Sequence, residues 1–397
     1  MNQNRRPHFV DYFVSKTIKP DDPIKVIFET IDFSFIHNLV KDKYKNHRLG
    51  RQGYNPVSLF KALLLIYLGY ASSERDLARK LKDMPKLSYL CGFRFGNTPE
   101  HNTFHYFRKR LGKETFMDIM TNIIAQTICI IEDKKLHVSI DSTHIETPFR
   151  KDIEAKWGRK TKDFKFFGYK VHLSIINTDI PIPVSIEITP GNRNDSPVFI
   201  PLLENTKKSV EGKKKITHVL GDRIYDSTSN ITYSMNDHII PIVPENKRHR
   251  ENAIRRGDIY IEDGHFKCKA GKELLYWGYE RKRNRYKFRC PLVRKKETCL
   301  FKNECWKTKY GPVFYLKEDN NNQEKMRVIR SGKSFQRIYK ERTKIERLFS
   351  VLKSRHRLSD VRYKGIEQMS IHAILSVCAY TLRANAGMQR DTGLLPV

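Results

Sequence analysis

Near Leu136 the spacing of apolar residues changes from helical to strand-like, and this change constrains the fold more than any other feature. Upstream, residues 1–50 are polar with apolar clusters at Val26-Ile27-Phe28 and from Phe33 to Val40, which predict short helices. Gly50-Arg51-Gln52-Gly53-Tyr54 predicts a loop, and Pro56 opens the helix P-V-S-L-F-K-A-L-L-L-I-Y-L-G-Y. That helix is apolar almost all round, so it belongs at the buried centre of a small bundle. Ser73 with Asp76 resembles a capping box, and Pro85 ends the helix it starts. Thr98-Pro99-Glu100 begins another helix, H-N-T-F-H-Y-F-R-K-R-L-G, bearing His105, Arg108, Lys109 and Arg110. Two readings fit this pair of helices: a helix-turn-helix-like reader of DNA, or an ordinary bundle with a basic surface. A long helix from Glu114 to about Asp133 leads onward.

Downstream the pattern alternates. L-H-V-S-I-D-S-T predicts a strand that ends at Asp141. F-F-G-Y-K-V-H-L-S-I-I-N and I-P-V-S-I-E-I-T-P-G-N predict a strand hairpin, followed by a helix from Pro197 to Lys208. K-I-T-H-V-L-G-D then predicts a fourth strand that delivers Asp222, with Asp226 as a rival carboxylate. Much later, Y-K-E-R-T-K-I-E-R-L-F-S-V-L-K predicts a helix from Tyr339 to Lys353, with Ile345, Leu348, Phe349 and Leu352 on its apolar face. At about 100° per residue, Tyr339, Arg342, Glu346 and Lys353 share an arc of roughly 60° beside that face. One carboxylate among cations at the edge of a core suits a metal ligand facing phosphates, or a solvated edge with an Arg342–Glu346 pair.

Asp222 and Glu346 lie too far apart for a direct connection, so an insertion of roughly residues 244–330 is expected between them. It interleaves basic and aromatic residues, as in W-G-Y-E-R-K-R-N-R-Y-K-F-R-C, which places cations on phosphates or makes a solvated basic hairpin. Its Cys268, Cys290, Cys299 and Cys305 offer a structural zinc set or four free thiols, and they contain no C-x2-C pair. A last apolar helix, Met369 to Arg383, should close the core, with His372 and Cys378 as packing residues.

A net charge of +31 over 397 residues points to a polyanionic partner, of which nucleic acid is the usual one and ribosomal or membrane-surface binding the competitor. With 39% hydrophobic residues the chain is a folding sequence and not a disordered polycation. No apolar run is long enough to span a membrane, and the start has no apolar signal region. An odd cysteine count of 7 agrees with a reducing cytoplasm.

Tyr339, Arg342, Glu346 and Lys353, at that spacing, resemble the Y-R-E-K signature of bacterial insertion-sequence DDE transposases. I-D-S-T-H-I-E and T-P-G-N-R-N-D-S are similar to the family's text around the first Asp and the third strand. G-R-Q-G-Y-N-P, S-S-E-R-D-L-A and T-P-E-H-N-T-F-H-Y-F-R-K-R-L-G are similar to its N-terminal helical domain, thought to recognise terminal inverted repeats. G-D-R-I-Y-D departs from the family's usual small residue after the second Asp. The resemblance implies an α/β, RNase H-like catalytic core: a mixed sheet flanked by helices, with an N-terminal helical domain and a basic, β-rich insertion before the last catalytic helix. The expected divisions are residues 1–133, 134–243, 244–330 and 331–390. It implies that Asp141, Asp222 and Glu346 hold Mg2+ (or Mn2+) for strand cleavage and strand transfer of transposon-end and target DNA. Tyr339, Arg342 and Lys353 would hold DNA beside the metals, and His105, Arg108 and Arg110 would read it, in a homodimer or larger complex. Another RNase H-like nuclease and a silent DNA-binding derivative are the alternatives.

Overall fold

The computed structural model describes residues 9–43, 53–159, 164–246, 259–262, 265–283, 285–294, 298–307, 310–317 and 321–391. Part of the loop expected at residues 50–54 and parts of the insertion lie outside them. Contacts divide the chain into two units, Met1–Thr217 with Arg342–Val397, and His218–Glu341.

The first unit opens with α1 (Phe9–Thr17), α2 (Pro23–Glu29) and α3 (Phe35–Val40). Asp22 caps α2, accepting from Ile24 N at 3.0 Å, and Asn55 caps α4 (Pro56–Tyr67), accepting from Val57 N at 2.9 Å. As its sequence requires, α4 is buried on nearly every side. Ser73 caps α5 (Glu74–Asp83), accepting from Asp76 N at 3.1 Å. Asp76 answers the Ser72 N–H at 2.8 Å, one residue earlier than in a capping box. Pro85 does more than end α5: it stands at the first position of α6 (Pro85–Cys91), where its missing N–H costs nothing. The two helices expected after Glu100 run together as α7 (His101–Ile128), kinked at Gly112, whose φ of 71° a β-carbon would disfavour.

The strands of this unit are β1 (Lys135–Glu146), β2 (Lys156–Arg159), β3 (Lys165–Ile176) and β4 (Ile182–Pro190). β3 pairs antiparallel with the other three. Asp141 is not at a strand end as expected; β1 continues past it to Glu146, and Asp141 lies opposite Leu173 in the ladder. After a 3-10 turn, α8 (Phe199–Val210) packs on β3 and β4. β5 (Lys215–Gly221) then starts beside β1, with Lys215 N donating to Lys134 O at 2.9 Å, and carries the chain into the second unit.

The second unit holds α9 (Thr228–Asn236) and β6 (Ile240–Ile242), which is parallel to the end of β5. The insertion is β-rich, with a hairpin of β7 (Tyr260–Glu262) and β8 (His265–Lys267) and a sheet of β9 (Leu275–Glu280), β10 (Arg285–Arg289) and β11 (Val313–Lys317). Phe288 of β10 packs with Cys268 and Leu274, while Arg285 lies over the Tyr315 ring at 3.6 Å and Arg289 over Trp277 at 4.8 Å. Then come α10 (Lys302–Cys305), α11 (Asn321–Ser331) and α12 (Lys333–Tyr339).

Back in the first unit, α13 (Thr343–Arg355) packs on β1, and α14 (Ile366–Asp391) runs well beyond the expected Met369 to Arg383. α14 covers β4 and also lies against α2, α4 and α7, so the N-terminal helices share a core with this late helix. Polar ties lock it there: Tyr67 Oη to His372 Nδ1 at 3.0 Å and Asn385 Nδ2 to Thr127 Oγ1 at 3.0 Å. His372 and Cys378 are buried, as packing residues should be.

Candidate active site

The apolar stripe of α13 is the expected one: Ile345, Leu348, Phe349 and Leu352 are buried. Lys344 Nζ holds the start of this helix to the carbonyls of Asn177 and Thr178, at 3.1 and 3.0 Å. This packing brings Glu346 and Arg342 to β1. Arg342 Nη1 donates to Asp141 Oδ2 at 2.8 Å while Nη2 donates to Glu346 Oε1. Two carboxylates from distant parts of the chain are thus gathered on one guanidinium, whose charge offsets their mutual repulsion. Asp141 Oδ1 also accepts from Ser142 N at 2.8 Å. The Arg342 and Asp141 side chains are 17% and 19% exposed, and Glu346 is 52% exposed, so the pair opens to solvent through Glu346.

The continuous helix expected from Tyr339 to Lys353 is interrupted by a 3-10 turn, Lys340–Arg342. Tyr339 ends α12, in the second unit, where its ring stacks on Phe335 at 5.8 Å and packs against a cluster containing Leu220 and Ile242. The single-helix geometry behind the shared arc therefore stops short of Tyr339. Lys353 is half-buried in the last turn of α13.

In the second unit, Asp222 directly follows β5 and accepts from Ile224 N at 3.0 Å, capping a 3-10 turn. Its rival Asp226 is buried and fully engaged, by Arg330 Nη2 at 2.8 Å and Asn246 N at 2.8 Å.

Of the expected readers on α7, His105 and Arg110 are exposed but Arg108 is not. Arg108 is 1% exposed, paired with Glu74 at 2.8 Å, bonded to Gln368 at 3.1 Å and laid over the Tyr363 ring at 3.9 Å. It follows Phe104 by four residues and precedes Leu111 by three, which is the buried stripe of the helix. Lys109, named with them on this helix, is exposed on the outer face, and so is Tyr106, which sequence reasoning missed although the same spacing places it there.

Among the described residues, no group of three or more His, Cys, Asp or Glu side chains is arranged to hold a metal. Cys268, Cys290, Cys299 and Cys305 are free thiols and make no such set. Asp141 and Glu346, both held on Arg342, offer carboxylate oxygens, the donor type that a hard divalent cation takes.

Residues 132–382 match the family described as Transposase DDE domain, and residues 13–110 match that described as Transposase domain (DUF772). The chain belongs to the DDE transposases. Its function is therefore DNA transposition, with a transposase or nuclease type of activity, and the family generally uses divalent metal ions. The transposase is similar over 98% of its length to a structure of the piggyBac transposase synaptic complex with hairpin DNA, covering 77% of that chain, at 11% identity and a TM-score of 0.39. It is also similar over 92% of its length to a Drosophila P element transposase strand transfer complex, covering 86% of that chain, at 10% identity and a TM-score of 0.26. No curated protein matches the transposase sequence significantly. No helix among its described residues is long and apolar enough to cross a membrane.

Proposed function

We propose that Asp141, Asp222 and Glu346 are the catalytic carboxylates of a DDE transposase and hold divalent metal ions, Mg2+ in the cell. The observation that carries this reading is the gathering of Asp141 and Glu346 on Arg342. An all-oxygen donor set selects a hard cation, which supplies activation of the attacking water or 3′-hydroxyl and neutralisation at the leaving oxygen. Asp222 is assigned by its place after β5 and by the engagement of Asp226 elsewhere.

The chain's own cations do the positioning. Arg342, which neutralises Asp141 and Glu346 in the free protein, would present its guanidinium to a scissile phosphate beside them. Lys353 adds a phosphate contact from the same helix, and Tyr339 supports DNA from the adjoining segment. His105, Tyr106, Lys109 and Arg110 form the outer face of α7 and contact the transposon end, whereas Arg108 takes no part. The domain divisions at residues 1–133, 134–243, 244–330 and 331–390, and an active homodimer or larger assembly, complete the proposal.

Cleavage and gel-shift assays on the same preparations test it. Asp141→Ala, Asp222→Ala and Glu346→Ala should each abolish strand cleavage and leave DNA binding intact, while Asp226→Ala should destabilise the fold. Near-normal cleavage by any of the first three would remove that residue from the site.

A further inference from the structure

Asp195 lies in T-P-G-N-R-N-D-S, directly before a 3-10 turn, Ser196–Val198, where an Asp ordinarily caps the turn with its side chain. It does not do so here: its side chain makes no capping bond. The carboxylate is 9% exposed and turns inward to the sheet. There Oδ2 accepts from Ser142 Oγ at 2.9 Å and Oδ1 accepts from Lys170 Nζ at 2.7 Å. Lys170 also donates to the Arg193 carbonyl at 2.8 Å, so the carboxylate is fixed in place by the loop that carries it. Ser142 is the residue after Asp141, and its N–H donates to Asp141 Oδ1 at 2.8 Å. Asp141 therefore receives Arg342 on one oxygen and the Ser142 N–H on the other.

From this chain of contacts we infer that Asp195 is a positioning residue for Asp141, acting through Ser142. A buried ion pair is weak evidence for stability by itself, because two charges must lose their water to form it. A forgone cap combined with a bond to the neighbour of a metal-binding carboxylate has a different explanation. The Asp195–Ser142 bond ties the Ser142 side chain to the loop before α8 and so steadies, beside the ladder to β3, the residue whose N–H aims one lone pair of Asp141. The other oxygen is then left directed at the position Arg342 now fills. Groups that orient a metal ligand commonly change affinity by 10- to 100-fold when lost.

The inference rests on Asp141 being a metal ligand, and the test separates the two ideas. Binding of Mn2+ to the full chain without DNA would be followed by the paramagnetic signal of the free ion, alongside thermal melting. Ser142→Ala leaves the Asp195–Lys170 pair intact and should weaken Mn2+ binding about tenfold or more with little change in melting. Ser142→Thr keeps the hydroxyl and should restore affinity. Asp195→Asn should match Ser142→Ala in affinity, and the double variant should be no weaker than either single one. Wild-type Mn2+ affinity in Ser142→Ala would overturn the inference and leave Asp195 as a tether of the β4–α8 connection. Wild-type affinity in Asp141→Ala would instead overturn the metal-site reading, and this inference with it.

Discussion

Replacing Arg108 by Ala separates a reader of DNA from a member of the core. The substitution removes a 2.8 Å ion pair to Glu74, a 3.1 Å bond to Gln368 and a guanidinium stacked 3.9 Å from the Tyr363 centroid. A buried charged hydrogen bond contributes about 2 kcal/mol and a desolvated cation–π contact about 2 kcal/mol. Removing one partner of a buried pair costs roughly 3–5 kcal/mol, since the other charge is left behind. Glu74 is 16% exposed, and water can reach it, so the lower end of about 3 kcal/mol is expected. At roughly 2–4 °C per kcal/mol, melting should fall by about 6–12 °C. Thermal melts and urea titrations would measure this, with DNA binding compared at a temperature where both proteins are folded. The cycle with Glu74→Ala should show coupling, and Arg110→Ala should melt normally but bind DNA with a salt slope shallower by about one. Normal melting of Arg108→Ala together with weakened DNA binding would refute the burial argument and restore Arg108 to the surface.

Arg342→Ala should lower the melting temperature of the metal-free protein, because Asp141 and Glu346 then lose the guanidinium they share. Added Mn2+ should raise melting more in this variant than in the wild type, and an equal rise would show that Arg342 does not compete with metal. Burial holds His356 and His372 neutral, each pushed down to about 4 from an ordinary 6.5. Well above pH 6.5 neither folded nor unfolded chain protonates them, so their contribution is flat. As pH falls from 6.5 towards 4 the unfolded chain takes up protons first, and stability drops by up to about 1.4 kcal/mol per unit for each histidine. The pair His356→Gln/His372→Gln should flatten the decline between pH 6.5 and 5, before most carboxylates titrate; a decline that survives it would argue against these residues.

The order of elements was legible because period and punctuation agree. Pro56 with an unbroken apolar run makes α4, and alternation followed by Asp222 makes β5. Asp141 was placed at a strand end because polar Ser142, Thr143 and His144 break the apolar alternation, yet backbone pairing with β3 carries the strand through them. Arg108 was misassigned by charge, although its spacing with Phe104, Phe107 and Leu111 places it on the buried stripe. The break at residues 340–342 left no mark in the local pattern, since Tyr339 stacks on Phe335 of its own helix and packs with Leu220 and Ile242, which are distant in sequence. Asp195 stands in a stretch noted only for its family resemblance, T-P-G-N-R-N-D-S. That its side chain faces β1 depends on the pairing of three strands, which no local spacing encodes.

The sharing of one core by the earliest helices and α14 has a consequence for synthesis. Tyr67 and His372, which meet at 3.0 Å, are 305 positions apart. At about 5–20 residues per second, a ribosome takes on the order of 15–60 s to travel between them. Throughout that interval the apolar surface of α4 waits for its partner, and a chain interrupted before α14 presents that surface to chaperones and proteases. The N-terminal helices therefore acquire their final packing only after α14 emerges.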